Sequence, residues 1–506
     1  MAIFDKPAPA VLFHSTEFLF GFLPLTWLGF WAVTKWGSAR AACAWLATAS
    51  LVFYAWWNPP YVVLMLSSIG VNFGIGRAVR PRPVGDGKRW RAGVLWLGLA
   101  LNVGALGYFK YANFFVENLG GILGASLTFE RVILPLAISF FTFQQVAYLV
   151  DSYRGQTPRY GFFEYAFFVS FFPQLIAGPI VQHHEVLPQI EGERWRPVRI
   201  ENWQVGITIF VIGLFKKMVL ADGCAEYANP LFNHAAEGNA LGFAGAWVAA
   251  LAYSFQLYFD FSGYSDMAIG LARTFGIVLP VNFCAPYRAT SVIEFWRCWH
   301  VTLSRFLRDY LYFPLGGNRG GVFLRSRNLL VTMLLGGLWH GAGWTFVVWG
   351  AMHGIYLVIN HGLRRLGLRV SRVRVLGWAV TMLAVVVGWV VFRADSLGTA
   401  GRILASMAGG LPTDEAGEAQ LRSVFDGVGA WSWFLLVTAI ALIAPTTQSY
   451  LRNFVPALNV GASGSARWLP AWRPTAVHGL FVGGLVFVIF RRYFTLAPTE
   501  FLYFNF

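Results

Sequence analysis

Apolar runs, each close to the roughly 20 residues needed to cross a bilayer, follow one another along this chain. Phe13–Thr34, Ala41–Trp57, Tyr61–Val79, Val94–Phe115 and Val132–Val150 open the series. Of 506 residues, 57% are hydrophobic and 12% charged, against about a quarter charged in a soluble domain. A soluble core of this length does not require so much apolar surface. The first run is not a secretory signal. It lacks a basic leading region and a small-residue cleavage site, and Glu17 stands near its start. Strand periodicity and internal repeats are absent from the pattern. The expectation is an all-α polytopic membrane protein, one domain over 1–506, with about 11–13 membrane segments, some re-entrant.

The formal net charge is +15. In a soluble protein that would suggest nucleic acid. Here the basic residues fall in short loops between apolar runs, which is the signature of orientation in a membrane, and no nucleic-acid partner is expected. The loop Arg77–Arg91 holds Arg77, Arg80, Arg82, Lys88, Arg89 and Arg91 against Asp86 and is expected to be cytoplasmic. Counting back, Trp57-Asn-Pro-Pro60 is an outer turn, Lys35–Arg40 is inside and the N-terminus outside. Arg364, Arg365, Arg369, Arg372 and Arg374 mark a second inner loop. Asp395, Asp414, Glu415, Glu418 and Asp426 mark an outer one, and Arg452, Arg467 and Arg473 a further inner one. A last span, Val477–Phe490, then leaves the C-terminus outside, although Arg491 and Arg492 oppose this. Cys43, Cys224, Cys284 and Cys298 have no metal-ligand spacing, so neither a disulfide frame nor a metal site is expected.

Several polar groups interrupt the apolar pattern. Between Phe162 and Ile190, Pro173, Gly178, Pro179 and Pro188 break it. Irregular backbone at membrane depth requires protein cover or a wet cavity, so this stretch is expected to form part of a cavity wall. Ser291–Phe313 carries Val292, Phe295, Trp296, Trp299, Leu303, Phe306 and Tyr310 at helical spacing, with Glu294, Arg297, Arg305, Arg308 and Asp309 largely off that stripe. An interfacial helix explains the stripe. It does not explain His300, with Ser304 one turn on, among tryptophans.

His340 ends the run Leu329–Trp339, with Gly336, Gly337, Gly341 and Gly343 around it. Glycines permit close approach of a backbone or a ligand. An ionisable side chain at membrane depth is expensive and points to function, and desolvation favours the neutral, proton-accepting imidazole. A buried histidine with purely structural hydrogen bonds is the plainer alternative. His353, in Trp349-Gly-Ala-Met-His-Gly354, suits a structural bond between helices better. Asp260 and Asp266, in Tyr258-Phe-Asp-Phe-Ser-Gly-Tyr-Ser-Asp266, either line a polar path, orient a histidine, or pair with arginines such as Arg273 or Arg288.

Taken in order, Leu134-Pro-Leu-Ala-Ile-Ser-Phe-Phe-Thr-Phe143, Phe172-Pro-Gln-Leu-Ile-Ala-Gly-Pro-Ile180, Gly213-Leu-Phe-Lys-Lys217, Asp260–Asp266, Phe295-Trp-Arg-Cys-Trp-His-Val-Thr-Leu-Ser304, Arg308-Asp-Tyr310, Gly316-Gly-Asn-Arg319 and Leu338-Trp-His-Gly341 resemble the membrane-bound O-acyltransferase (MBOAT) family. The similarity runs from about Tyr108 to Ala394 and resumes at the C-terminus. It is nearer the alginate O-acetylation branch than the D-alanyl transfer branch, notably in the Gly-Gly-Asn-Arg stretch. The resemblance implies tilted helices around a central tunnel, with an essential histidine at His340 and a supporting one at His300. It also implies a thioester donor entering from the cytoplasm, here acetyl-CoA, and an acyl group leaving on the outside of a bacterial cytoplasmic membrane. A periplasmic SGNH-type transferase and a polysaccharide acceptor are the partners it suggests, besides membrane lipids.

The residues suit that chemistry on their own terms. Acyl transfer to a hydroxyl needs a base and a group to hold the developing oxyanion. His340 fits the first; His300, the indole N–H of Trp339 and a backbone amide remain open for the second. Ser304, Asp309, Trp339, His353, Asp260 and Asp266 are the expected supporting or tunnel-lining residues. No Gly-x-Ser-x-Gly elbow is present, which argues against a serine acyl-enzyme. The tail Pro498-Thr-Glu-Phe-Leu-Tyr-Phe-Asn-Phe506 resembles that of the D-alanyl system's small partner peptide, which suggests Tyr503 as an acyl carrier; an interfacial aromatic anchor is the alternative. A transporter or channel for an acylated carrier or a glycan, with no bond-making role, is the competing function, because broken helices and intramembrane carboxylates suit it as well.

Overall fold

The computed structural model describes residues 12–82, 87–124, 129–190, 195, 198–368, 371, 373–425, 428–460, 471–495 and 502. They form helices and connecting turns; an isolated bridge between Pro280 and Leu458 is the sole β-type pairing among them. The sequence offers no boundary, yet the contacts group into two compact units. One comprises Met1–Phe210, Met267–Pro280 and Pro456–Leu458; the other comprises Val211–Asp266, Val281–Val455 and Asn459–Phe506.

The first unit contains α1 (Leu23–Trp36), α2 (Ala39–Trp57), α3 (Pro60–Ala78), α4 (Lys88–Leu106), α5 (Ala112–Leu123), α6 (Ile138–Tyr153), α7 (Phe162–Ser170), α8 (Phe172–Leu175) and α9 (His183–Ile190). Local chemistry sets the ends. Ser38 caps α2 by accepting the Ala41 N–H at 3.2 Å, and Pro60 opens α3 with the φ a first helical turn needs. Polar residues inside this unit meet one another. Asn72 and Asn102 exchange amide hydrogen bonds at 3.3 and 2.6 Å between α3 and α4. In the proline-broken stretch from α7 to α9, nearly every residue is buried. Its backbone and side chains find partners in protein, such as the Phe172 N–H on Ser50 Oγ at 3.0 Å and Gln174 Nε2 on the Phe168 carbonyl at 2.7 Å. Covered irregular backbone of this kind is what a nonpolar environment tolerates.

Two helices, α10 (Ile200–Phe215) and α12 (Gly242–Thr274), have residues in each unit. The second unit also holds α11 (Asp222–Ala236), α13 (Val292–Cys298), α14 (Val301–Leu307), α15 (Gly321–His340), α16 (Trp344–Arg365), α17 (Arg374–Arg393), α18 (Leu397–Met407), α19 (Glu415–Val424), α20 (Val428–Leu442), α21 (Thr447–Tyr450) and α22 (Ala476–Thr495). Among the described residues seven helical stretches are long and apolar enough to cross a membrane, or up to eight if a bent pair counts as one span. That is fewer than the 11–13 segments expected. The physical reason lies in helices such as α15, which is long enough but carries Arg325, Arg327 and His340, and in the division of other apolar runs into short, buried pieces.

The amphipathic stretch Ser291–Phe313 is not one helix. It breaks at Trp299–His300, where His300 takes the left-handed backbone conformation at φ 43°, and it resumes as α14 and a π-helical turn over Arg308–Tyr312. Helical periodicity survives such a break because each half keeps its own apolar face.

Candidate active site

Helices α15 and α16 form a tight antiparallel hairpin joined by Gly341-Ala-Gly343. Its seam is glycine on glycine. A Cβ built on Gly350 would lie 2.5 Å from the Met333 carbonyl oxygen and 3.2 Å from the Gly337 Cα. A Cβ on Gly341 would strike the Phe346 ring. Only bare backbone lets the helices approach this closely. Helix α15 ends at the hairpin's turn on His340, 4% exposed. Its imidazole packs edge-on against Trp349 at 5.1 Å and Phe392 at 5.3 Å, with the Trp339 ring 4.9 Å away.

His300 is fully buried. The Phe261 ring of α12 meets it at right angles, 4.8 Å between centroids, and Trp339 lies 6.0 Å away. Trp339 therefore touches both histidines. The proton on His300 can be assigned from its partner. Asn282 Oδ1 receives the backbone N–H of Thr302 at 3.3 Å, which can only donate, so that atom is the amide oxygen. The same oxygen takes Thr302 Oγ1–H at 2.9 Å and lies 3.0 Å from His300 Nδ1. Nδ1 must then carry the hydrogen, leaving Nε2 as the accepting nitrogen. Asn282 is itself held by donating Nδ2–H to Ser265 Oγ at 3.1 Å. The His300 segment lies outside the seven apolar spans, and burial pushes its pKa down to about 3, keeping the ring neutral.

Other expected residues fall into place around this line. Ser304 sits in the first turn of α14, its N–H on the His300 carbonyl at 3.0 Å and its Oγ 3.4 Å from the Trp299 carbonyl. His353 is fully buried; its Nδ1 accepts Trp296 Nε1–H at 3.3 Å, and its ring lies 4.8 Å from Trp349. The ring contacts thus run from His300 through Trp339, His340 and Trp349 to His353. Asp309 is engaged elsewhere, in a two-pronged pair with its neighbour Arg308 at 2.7 and 3.0 Å. Tyr503 lies outside the described residues, as does most of the 498–506 tail.

The two carboxylates of α12 pair with lysines, not with Arg273 or Arg288. Asp260 meets Lys217 at 2.9 Å, and Asp266 meets Lys216 at 2.6 Å. Lys217 also bonds Asp222 at 2.8 Å, and Asp266 receives Thr447 Oγ1–H at 2.6 Å and Gln448 Nε2–H at 2.9 Å. Arg273 pairs with Glu201, and Arg288 donates to the Ala444 carbonyl. The remaining oxygen of Asp260 accepts the Leu502 backbone N–H at 3.1 Å. Sequence reasoning missed Asn282 and gave the Gly213–Lys217 lysines no role. The available signal was the same one that marked the histidines, polar side chains inside apolar runs.

One group in the first unit has the composition of a metal site: ligand atoms of Asp151, His183 and His184 lie within 4.8 Å of one another. Asp151 already meets His183 Nε2 at 3.3 Å, and Tyr160 meets His183 Nδ1 at 3.2 Å. Asp151 and His183 are buried, and His184 is exposed.

Residues 87–397 match the model of the MBOAT, membrane-bound O-acyltransferase family. The chain is 43% identical over 431 residues to the peptidoglycan O-acetyltransferase of Helicobacter pylori, covering 79% of this chain and 80% of that protein. It is 39% identical to a probable alginate O-acetylase AlgI of Pseudomonas putida, covering 98% of this chain and 100% of that one. A teichoic acid D-alanyltransferase of Streptococcus thermophilus is 29% identical over 44% of this chain and 56% of its own length. With the family match spanning the histidine hairpin, the broken His300 segment and the lysine–aspartate network, this multi-pass membrane protein belongs to the membrane-bound O-acyltransferase family.

Proposed function

We propose that the chain is an O-acetyltransferase of the bacterial cytoplasmic membrane. It takes acetyl from acetyl-CoA on the cytoplasmic side and passes it across for O-acetylation of an extracytoplasmic polysaccharide, alginate-like, cellulose or peptidoglycan. An acyltransferase role rests on the family. The O-acetyl and glycan assignments rest on what the similar proteins are named for: peptidoglycan O-acetyltransferase and alginate O-acetylase. The observation that carries the reading is the pairing of two buried histidines across the Trp339 ring at the end of a glycine-seamed hairpin.

In this reading His340 removes the proton from the attacking hydroxyl. His300, protonated at Nδ1 by its bond to Asn282, presents an acceptor at Nε2. A neutral ring in that tautomer cannot donate to an oxyanion through Nε2 and instead orients the hydroxyl or relays its proton. The Trp339 indole N–H or a backbone amide is then left to hold the tetrahedral oxygen. Tyr503 is the proposed carrier on the outer side, supported by the hydrogen bond that holds neighbouring Leu502 on Asp260. A periplasmic SGNH-type transferase would take the acetyl group from it, with both termini on that side.

The test is release of free CoA from acetyl-CoA by purified protein with a glycan or a tyrosine-bearing tail peptide as acceptor. His340→Asn is expected to abolish turnover while leaving the unfolding temperature within a few degrees of wild type. Wild-type protein that binds but never cleaves the thioester would favour a transport role. Tyr503→Phe is expected to remove product acetylation in cells; unchanged acetylation would sink the carrier role alone.

A further inference from the structure

Beyond the catalytic line, the second unit contains a lateral groove of 380 Å³ between α16 and α17. Its wall is mainly aliphatic, from residues such as Val292, Leu363 and Val387. Ile359, Leu368, Val380 and Leu383, which also line it, are between 51% and 57% exposed. On helices read as membrane spans, large aliphatic side chains exposed at a groove mouth face hydrocarbon, so the groove opens to lipid and not to water.

The end of the groove is different. Arg364 lines it and donates Nη2–H to Ser291 Oγ at 3.5 Å. Arg325, Arg364 and Arg297 all act electrostatically on His361, which follows the lining residue Asn360 on α16. No carboxylate forms an ion pair with any of these three arginines among the described residues. The acid nearest in sequence, Glu294, already accepts the N–H and Oγ1–H of Thr290 at 2.8 and 2.9 Å. Arg325 Nε is buried without a hydrogen-bond acceptor, and Asn360 Oδ1, in the groove wall, is buried without a donor. A guanidinium in the groove lining, with two more acting on the same end of α16 and no carboxylate paired to any of them, calls for an amphiphile with an anionic head. The buried Asn360 oxygen asks it for a hydroxyl as well.

We propose that this groove is a selective binding site for an anionic phospholipid with a hydroxylated headgroup, of the phosphatidylglycerol class. One acyl chain lies along α16 and α17, and the phosphate meets Arg364 with Arg297 and Arg325 beside it. The basic loop after Arg364 is the one expected on the cytoplasmic side, where anionic lipids act on basic residues. A nucleotide thioester has the charge for the arginines. It does not suit a slot whose mouth is open to acyl chains.

The experiment reconstitutes the full-length protein in nanodiscs with equal parts phosphatidylglycerol and phosphatidylcholine, then ejects it for native mass spectrometry. Wild type is expected to retain phosphatidylglycerol in preference to phosphatidylcholine. Arg364→Gln and Arg325→Gln are each expected to reduce that preference about five-fold, the scale of one basic side chain near an anionic lipid surface. Ala384→Trp, which fills the groove, is expected to remove the bound lipid while the arginines remain. Equal retention of the two lipids by wild type, or an undiminished preference in Ala384→Trp, would overturn the proposal. So would displacement of the retained lipid by soluble acetyl-CoA at micromolar concentration, because the groove would then be the donor's. These readouts are independent of turnover, so their failure is separable from failure of the acetyltransferase reading.

Discussion

Replacing Gly350 by alanine puts one methyl group into the α15–α16 seam. Two effects compete. Alanine is a better helix former than glycine by about 1 kcal/mol, which favours the variant. Against this, the new Cβ would stand 2.5 Å from the Met333 carbonyl oxygen, where ordinary contact begins at 3.4 Å. The obstacle is backbone, so the shortfall cannot be relieved by turning a side chain. The helices must part by most of an ångström, and overpacking of that kind costs about 1–3 kcal/mol. The sign is therefore destabilising. The displacement also reaches the chemistry, because Trp349 adjoins Gly350 and packs on His340 at 5.1 Å. Misplacing a reacting group by about 1 Å reduces rate on the order of 100-fold. Gly362 is the internal control, on the same helix with no atom within 4 Å of where its Cβ would be. The assay is CoA release with thermal unfolding in the same detergent. Gly350→Ala is expected to lose about 100-fold in turnover and to melt lower, and Gly362→Ala to keep turnover and melt no lower. Full activity in Gly350→Ala at an unchanged melting temperature would refute the claim that this seam positions His340.

Other outcomes follow from the same geometry. Asn282→Ala removes the acceptor shared by His300 and Thr302; stability is expected to fall by about 1–3 kcal/mol, with turnover reduced more than by Thr302→Val, as measured by CoA release against melting temperature. Lys217→Met leaves Asp222 and Asp260 buried without their cation; breaking such a pair costs about 3–5 kcal/mol, and adding Asp260→Asn and Asp222→Asn is expected to recover part of the loss in a denaturation series. Asp414 caps α19 by accepting the Gly417 N–H and also accepts the Ala240 N–H, and those backbone bonds hold its carboxyl below the usual carboxylate range. A depressed carboxylate stabilises above its unfolded pKa and loses that contribution as pH falls through the folded value. Hydrogen exchange in Glu415–Val424 is therefore expected to rise in acid below the usual carboxylate range, and Asp414→Ala to show the raised exchange already at neutral pH.

How much of this was legible in the chain depends on the range of the interaction involved. The apolar runs announced a polytopic helical protein because hydrocarbon permits few alternatives, and the glycines around His340 announced a close approach before any partner was known. The spacing of Ser291–Phe313 read as one helix because periodicity reports which face is apolar, not whether the backbone is continuous. The break at His300 is held from the Asn282–Cys284 segment: the Cys284 N–H meets the Cys298 carbonyl before it, and Asn282 binds Nδ1 of His300 and the Thr302 N–H after it. Lys216 and Lys217 stand within the Gly213–Lys217 motif, yet nothing local assigns them to Asp266 and Asp260, 50 and 43 residues further on.

The sequence by itself determined that this chain lives in a membrane, that its histidines occupy apolar surroundings, and that its ordered motifs belong to an acyltransferase family. Tertiary structure decided which nitrogen of His300 accepts a proton, which ring lies between the two histidines, and which cations neutralise the α12 carboxylates. The difference is physical. Burial preference is a property of each residue and is written along the chain. Hydrogen-bond direction and charge pairing are properties of two groups brought together, and they exist only once folding has chosen the neighbours.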